Sequence, residues 1–164
     1  DLETMWDLIN ISYYNDNKPL LLGIATDDSH NYHVKSKANS NTGRGWVMVN
    51  SQKLDTESLI NAMEAGDFYS SSGVILKQVF QNKEKLFIEV EPKEGIDYEI
   101  IFMGYRKGSY NIEVLKRVKD NSSSYTFQQD DLFVRAKINS TDLKENPPRL
   151  GETKQAWVQP VIVK

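Results

Sequence analysis

Two carboxylates and an imidazole follow a short apolar run near the start of the chain. Asp28 and His30 are two residues apart, and Asp27 directly precedes them. On an extended backbone this spacing places the side chains of Asp28 and His30 on the same face, where both can reach one cation. Oxygen and imidazole ligands together suit zinc, manganese or iron ions that activate water. The pattern predicts a metal-ligand pair, with Asp27 orienting the histidine or a bound water.

The same residue types also occur at ordinary turns. Asp-Asp-Ser after a strand can serve as a turn or a helix N-cap, and His30 can be a surface histidine. His33 lies three residues further along, where a solvated histidine is the expected alternative to a further ligand. Arg44, between two glycines, is a candidate for binding a substrate phosphate, because a guanidinium group matches phosphate geometry. The alternative for Arg44 is a solvated side chain in a flexible loop.

The element that would position the metal pair is a predicted strand over residues 20–26. This run is almost entirely aliphatic and is too short for most helices. Because it shows no alternation of polar and apolar residues, we expect a parallel strand covered by helices, with the pair at its carboxyl end. A short helix is predicted before it, a polar loop over 31–43 after it, and then a short strand over 46–49.

The best helical pattern lies between Leu54 and Gly66. Asp55 is the expected N-cap, and Leu54 and Leu59 occupy the positions of a hydrophobic staple. Gly66 is the expected residue after the last turn, where a left-handed conformation favours glycine. The serine-rich stretch over 69–73 is expected to be a turn, which places a domain boundary near residue 73.

From Val74 onward the hydrophobic period changes to two residues. The strand over 132–138 alternates most regularly, so we expect it to be half-buried. The number and spacing of such segments suit an antiparallel, immunoglobulin-like β-sandwich. Seven strands are predicted, near 74–80, 84–90, 97–103, 110–114, 123–127, 132–138 and 156–163.

Composition limits the classes of function. The chain has 164 residues, a net charge of −3 and no cysteine. An acidic balance argues against a nucleic-acid partner, whose binding surface would be basic. No apolar run approaches the ~20 residues that a membrane span needs. The lack of cysteine removes disulfides and thiolate metal sites without fixing the compartment. A soluble protein is expected, and the sequence leaves its compartment open between the cytoplasm and the periplasm.

Several segments, in order, resemble one protein family. They are Trp6-Asp7-Leu8, residues 25–30, Gly43–Val49, Leu59–Gly73 and Ala156–Val161. This order is similar to the C-terminal part of metal-dependent phosphoesterases of the PHP family, named for polymerase and histidinol phosphatase. The resemblance is to two-domain members, in which a β-rich domain follows the catalytic barrel, and it covers nearly the whole chain.

The resemblance implies an α+β chain, with the C-terminal end of a (β/α) barrel over 1–73 and an immunoglobulin-like sandwich over 74–164. It implies that Asp28 and His30 are ligands of a divalent manganese, zinc or iron site acting on a phosphoester, and that neither is the nucleophile. Family members also use an early His-x-His motif, whereas this chain has two histidines, His30 and His33. We therefore expect the fragment to be inactive alone, to lack a bound metal, and to self-associate or fray.

Two other functions stay open at this point. One is a non-catalytic β-sandwich module that binds carbohydrate or protein through an exposed face. The other is a structural domain that caps or positions a barrel. Trp6, Trp46 and Trp157 each lie in an apolar run and are expected in the core, although aromatic residues on an exposed face could bind sugars.

Overall fold

The computed structural model describes residues 1–163, and all pairs between its named strands are antiparallel. Within these residues, no helix is long and apolar enough to cross a membrane. The elements in chain order are α1 Leu2–Asn15, β1 Trp46–Val49, α2 Thr56–Ala65, β2 Phe68–Ser71, β3 Leu76–Gln81, β4 Lys85–Val90, β5 Tyr98–Arg106, β6 Glu113–Lys119, β7 Ser122–Thr126, β8 Asp131–Leu143 and β9 Thr153–Ile162.

Two antiparallel sheets enclose the hydrophobic core, as the alternating pattern after Val74 predicts. One sheet has six strands in the order β1-β2-β9-β8-β5-β6, and the other has three in the order β3-β4-β7. Alternate side chains of β4, β5 and β8 face inward, because successive residues of a strand point to opposite faces. The fully buried members of this core are Leu86, Ile88, Ile100, Phe102, Val134, Ala136, Ile138 and Ala156.

The seven strands predicted after Val74 are present, with bounds that differ by a few residues. The largest shifts are in β8, which ends at Leu143 instead of residue 138, and in β6, which spans Glu113–Lys119 instead of 110–114. Tyr110, which the alternation places on the strand, is 89% exposed in the preceding turn. The antiparallel sandwich is therefore confirmed as the architecture of this part of the chain.

Helix α1 covers the outer face of the six-stranded sheet. The ring of Tyr14 lies 6.1 Å from the ring of Phe133 on β8, measured between centroids. Asp7 on the same helix binds Arg135, which is 1% exposed. The prediction of a half-buried strand over 132–138 is therefore wrong. The alternation of apolar and polar residues identifies the face toward the sandwich core, but it does not reveal that a helix covers the opposite face.

The prediction of a buried parallel strand over 20–26 is also wrong. The segment is extended, but it pairs with no strand, and none of its residues is fully buried. Side chains hold its backbone instead: Asn10 bonds both the N–H and the carbonyl of Leu21, and Gln159 does the same for Gly23. It lies beside α1 and against the side chain of Gln159 on β9. A (β/α) barrel is not evident within the described residues.

Helix α2 follows the capping signals in the sequence. The carboxylate of Asp55 accepts a hydrogen bond from the N–H of Ser58 at 2.8 Å, and Gly66 ends the helix with a φ of 78°. The predicted staple does not form, because Leu54 is 94% exposed. Capping acts within one turn, whereas the staple depends on how the chain enters the helix.

The stretch over 69–73, predicted as a turn, is largely a strand. Strand β2 lies between β1 and β9, with Tyr69 opposite Val158 and Ser71 opposite Ala156. Ser71 is completely buried. The six-stranded sheet thus extends across the predicted boundary near residue 73, and the division into two domains stays a prediction.

Candidate functional site

Asp27 holds the loop that follows the predicted metal pair. Its Oδ2 accepts a hydrogen bond from the N–H of Gly43 at 2.8 Å. Its Oδ1 accepts two more, from the N–H groups of Arg44 at 3.0 Å and Gly45 at 2.8 Å. Successive N–H groups that converge in this way form an anion-binding concavity, here filled by a carboxylate of the same chain. Asp27 therefore fixes the position of Arg44, and its expected role beside His30 stays a prediction.

Asp28 and His30 lie close together on the surface. Their side chains are 89% and 69% exposed, and 4.0 Å separates the Asp28 Oδ1 from the His30 Nδ1. The same Nδ1 lies 2.7 Å from the backbone carbonyl oxygen of Asp28. Asp28 has a φ of 49°, so the left-handed backbone, and not the alternation of an extended strand, brings the pair together. Both side chains are thus open to solvent.

Asn41 organises the polar loop over 31–43, and the sequence analysis missed it. Its side chain is almost fully buried: Nδ2 donates to the carbonyls of Asn31 and Val34, and Oδ1 accepts from the N–H of Ser36. An asparagine is ordinary in a polar loop, so its sequence context gave no signal for this role. The loop is thus held by side-chain bonds to backbone instead of by regular secondary structure.

The metal-binding capacity of this region can be judged from its ligand types. Within residues 1–163, no three His, Cys, Asp or Glu side chains come together in an arrangement that could hold an ion. Catalytic metal sites commonly take three protein ligands, and this surface offers the two from Asp28 and His30. His33 is exposed in the following loop. The pair therefore fits part of a metal site and would need further ligands from elsewhere.

Arg44 is not the solvated arginine of a flexible loop. Its Nε donates to the carbonyl of Asn146 at 2.9 Å, and its Nη2 donates to the carbonyl of Ser36 at 3.1 Å. These bonds join the loop over 35–44 to the segment between β8 and β9. A cleft of about 690 Å³ opens between the two segments, with Arg44 and Trp46 among its lining residues.

A second group of charged side chains lies between α1 and the sheet. Glu3, on α1, accepts hydrogen bonds from Arg135 at 3.0 Å and from Lys137. Burial by itself lowers the pKa of Arg135, but the bonds and charges of Asp7 and Glu3 outweigh it and raise the pKa above its ordinary value. Because these opposite charges pair with one another, the group fastens α1 to the sheet. The Nη1 of Arg135 is buried and has no hydrogen-bond partner within the described residues.

Comparison with known proteins finds no relative of this chain. No family model, no curated protein and no solved structure matches this chain. The resemblance to PHP phosphoesterases therefore depends on the sequence segments given above, and the assignment of a function is a proposal.

Proposed function

We propose that this chain is the C-terminal part of a metal-dependent phosphoesterase of the PHP family. Asp28 and His30 would supply two ligands to a metal site that preceding barrel strands complete. In this proposal residues 1–73 are the end of the barrel and residues 74–164 are an immunoglobulin-like accessory sandwich. The main supporting observation is the 4.0 Å approach of an exposed carboxylate and an exposed imidazole beside a segment that pairs with no strand.

Exposed apolar side chains around that segment support the same proposal. Leu21 is 42% exposed and Ile24 is 61% exposed, although both belong to the most apolar run of the chain. On α1, Leu2 is 82% exposed and Met5 is 57% exposed. Contiguous exposed apolar surface commonly marks a contact with another element or protein. The missing strands of a barrel would cover such a surface.

Each of these residues would have its own role in phosphoester hydrolysis. A divalent manganese, zinc or iron ion, when bound, supplies an activated water and neutralises charge on the phosphate. Asp28 and His30 would hold that ion and would not attack phosphorus. Asp27 would keep the loop over 43–45 in place through its three hydrogen bonds. Arg44 would then be available to bind a phosphate oxygen.

The second candidate function is a non-catalytic binding module. Trp46, expected in the core, is 37% exposed and borders the cleft beside Arg44. A cleft of about 690 Å³ falls within the usual range of small-ligand sites. Binding there would require neither Asp28 nor His30, so substitutions of these two residues separate the two candidates.

The test compares the 164-residue chain with a longer protein that carries the upstream barrel required by the proposal, using p-nitrophenyl phosphate with manganese, zinc or iron. We expect metal-dependent hydrolysis by the longer protein and none by the chain alone. Asp28→Asn or His30→Gln should lower kcat/KM by more than about 100-fold, because even outer partners of metal ligands contribute 10- to 100-fold. His33→Gln is the matched control and should change little.

Two results would contradict the proposal. A longer protein without a barrel-length upstream region carrying His-x-His would favour a binding module. Metal-saturable hydrolysis by the 164-residue chain, lost on substitution of Asp28, would show that the chain holds a complete site. The upstream genomic sequence is the cheapest of these observations.

A further inference from the structure

The cleft beside Arg44 is strongly basic in an acidic protein. It lies between the loop over 35–44 and the hairpin that joins β8 to β9, and we call it the basic cleft. Cations outnumber carboxylates among its lining residues, although the whole chain carries a net charge of −3. A concave surface lined by one sign of charge concentrates counter-ions. Its charged lining residues are Lys35, Lys37, Arg44, Lys144, Lys154, Glu145 and Glu152.

The excess positive charge lies on one wall. On the hairpin wall, Lys144 pairs with Glu152 at 3.0 Å and Lys154 pairs with Asp142 at 2.9 Å. On the loop wall, no cation takes part in an ion pair with any residue in the described part of the chain. The loop-wall cations are Lys35, Lys37 and Arg44. Their charge is therefore available to an anion that enters the cleft.

Arg44 is held ready for such an anion. Its guanidinium bonds to the carbonyls of Ser36 and Asn146, which are neutral acceptors and leave its charge uncompensated. These bonds use two of its five N–H donors, and the Asp27 carboxylate fixes its backbone. A side chain already fixed in place loses little conformational freedom on binding. The remaining N–H groups suit two oxygens of one phosphate.

The cleft also has an apolar part. Trp46 is 37% exposed and Ile75 is 45% exposed, and both line it. Leu143 and Leu150, from the hairpin, contribute further exposed apolar surface. Apolar walls with a few placed polar groups are typical of sites for small organic ligands. An inorganic anion alone would leave this surface in contact with water.

We propose that the basic cleft binds a small organic phosphate. The phosphate group contacts Arg44, with Lys35 and Lys37 contributing charge, and the ring or apolar body packs against Trp46 and Ile75. This inference deepens the second candidate function, a binding module, by naming the class of its ligand. It shares Arg44 with the phosphoesterase proposal but requires no metal, no hydrolysis and neither Asp28 nor His30.

The test is a titration of the 164-residue chain with phenylphosphonate, followed by amide chemical shifts. This probe carries a ring and a dianion but has no phosphoester bond, so binding is measured without turnover. We expect saturable shifts confined to residues 35–46, 72–75 and 143–154. Binding should weaken as salt rises from about 0.02 M to about 0.5 M, because exposed charges are screened. Benzyl alcohol and inorganic phosphate should each bind at least about tenfold more weakly.

Matched variants locate the site. Arg44→Gln should weaken binding by about tenfold or more, as expected for a hydrogen bond to a charged group. The double change Lys35→Gln and Lys37→Gln should also weaken binding, and these side chains make no hydrogen bond within residues 1–163, so the fold is kept. The control removes the same charge elsewhere, with Lys83→Gln and Lys107→Gln, and should leave affinity within about twofold.

Three outcomes would overturn the inference: shifts that do not saturate, shifts that lie outside the cleft, or equal losses in the cleft and control variants. Equal losses would mean that affinity for the anion depends only on the net charge of the protein and not on the cleft. Failure of phosphoester hydrolysis in the longer protein leaves this result unaffected, so the two proposals fail separately.

Discussion

The guanidinium of Arg135 donates two hydrogen bonds, each 2.7 Å long, to the two carboxylate oxygens of Asp7. Arg135 lies on β8 and is 1% exposed, while Asp7 lies on α1, 128 positions earlier in the chain. The ring of Trp6 lies 5.0 Å from the Arg135 Cζ, measured to its centroid. Such paired, parallel bonds fix geometry as well as charge, so this contact sets where α1 lies on the sheet.

Removing Arg135 should destabilise the protein strongly. Arg135→Met keeps much of the side-chain volume but leaves the carboxylate of Asp7 without its main partner and Glu3 with Lys137 alone among its cationic partners. We expect the free energy of unfolding in urea to fall by about 3–5 kcal/mol, the usual cost of breaking a buried ion pair. Arg117→Met, which removes an exposed pair with Glu99, is the control and should cost at most about 1 kcal/mol. Equal losses of unfolding free energy in the two variants would show that the buried ion pair of Arg135 stabilises the fold no more than an exposed one.

Acid should weaken the attachment of α1 to the sheet, because it protonates Glu3. Burial by itself raises the pKa of Glu3, but the hydrogen bond from Lys137 and the charge of Arg135 outweigh it and hold the pKa below its ordinary value of 4.5. Glu3 therefore stabilises the fold fully above that ordinary value, and its contribution is lost as pH falls through the lowered pKa.

The measurement for Glu3 is the urea midpoint of the wild type and of Glu3→Gln at several pH values. The wild type should be the more stable near neutral pH, and the difference should shrink below the ordinary pKa. Glu94→Gln is the control, since Glu94 is exposed and belongs to none of the ion pairs found in residues 1–163. A difference that grows on acidification would contradict the assigned sign.

Substitution by asparagine should lower the stability of the protein at Asp27 but not at Asp28. Asp27→Asn places an amide N–H₂ among three N–H donors, so at least one of the bonds to residues 43–45 is lost. We expect a loss of about 1–3 kcal/mol, with faster hydrogen exchange at Gly43 and Gly45. Asp28→Asn should stay within about 0.5 kcal/mol, because Asp28 is exposed and asparagine tolerates its left-handed backbone. Similar losses in both variants would rule out the anchoring role of Asp27.

Gln159 should be required to hold the segment over 20–26. It is 5% exposed, and its side chain accepts from the N–H of Gly23 and donates to the carbonyl of Gly23, both at 2.8 Å. Gln159→Met should cost about 1–3 kcal/mol and remove protection of the Gly23 amide, because the Gly23 N–H loses its partner while the Gly23 carbonyl keeps the hydroxyl of Ser70. Gln78→Met, on the exposed face of β3, is the control and should change stability by less than about 0.5 kcal/mol. Undiminished protection of Gly23 in Gln159→Met would contradict the prediction.

Local patterns in the sequence determined the elements whose signals act over short distances. The two-residue period after Val74 predicted the strands of the sandwich, because alternation depends on neighbouring residues of one strand. Asp55 and Gly66 marked the ends of α2, because capping bonds form within one turn. The pairing of Asp28 with His30 as metal ligands stays a prediction, and the left-handed backbone at Asp28 differs from the extended strand on which the prediction depended.

Tertiary structure decided the features that depend on which elements become neighbours. The apolar run over 20–26 has the composition of a buried strand, yet it lies across a sheet face and is held by the side chains of Asn10 and Gln159. The strand over 132–138 is covered on its second face as well, because α1, from the start of the chain, packs against that face. Arg44 bonds to Asn146, 102 positions away, and this bond joins the two walls of the basic cleft. No local period encodes such contacts, because they depend on the path of the whole chain and not on residues a few positions apart.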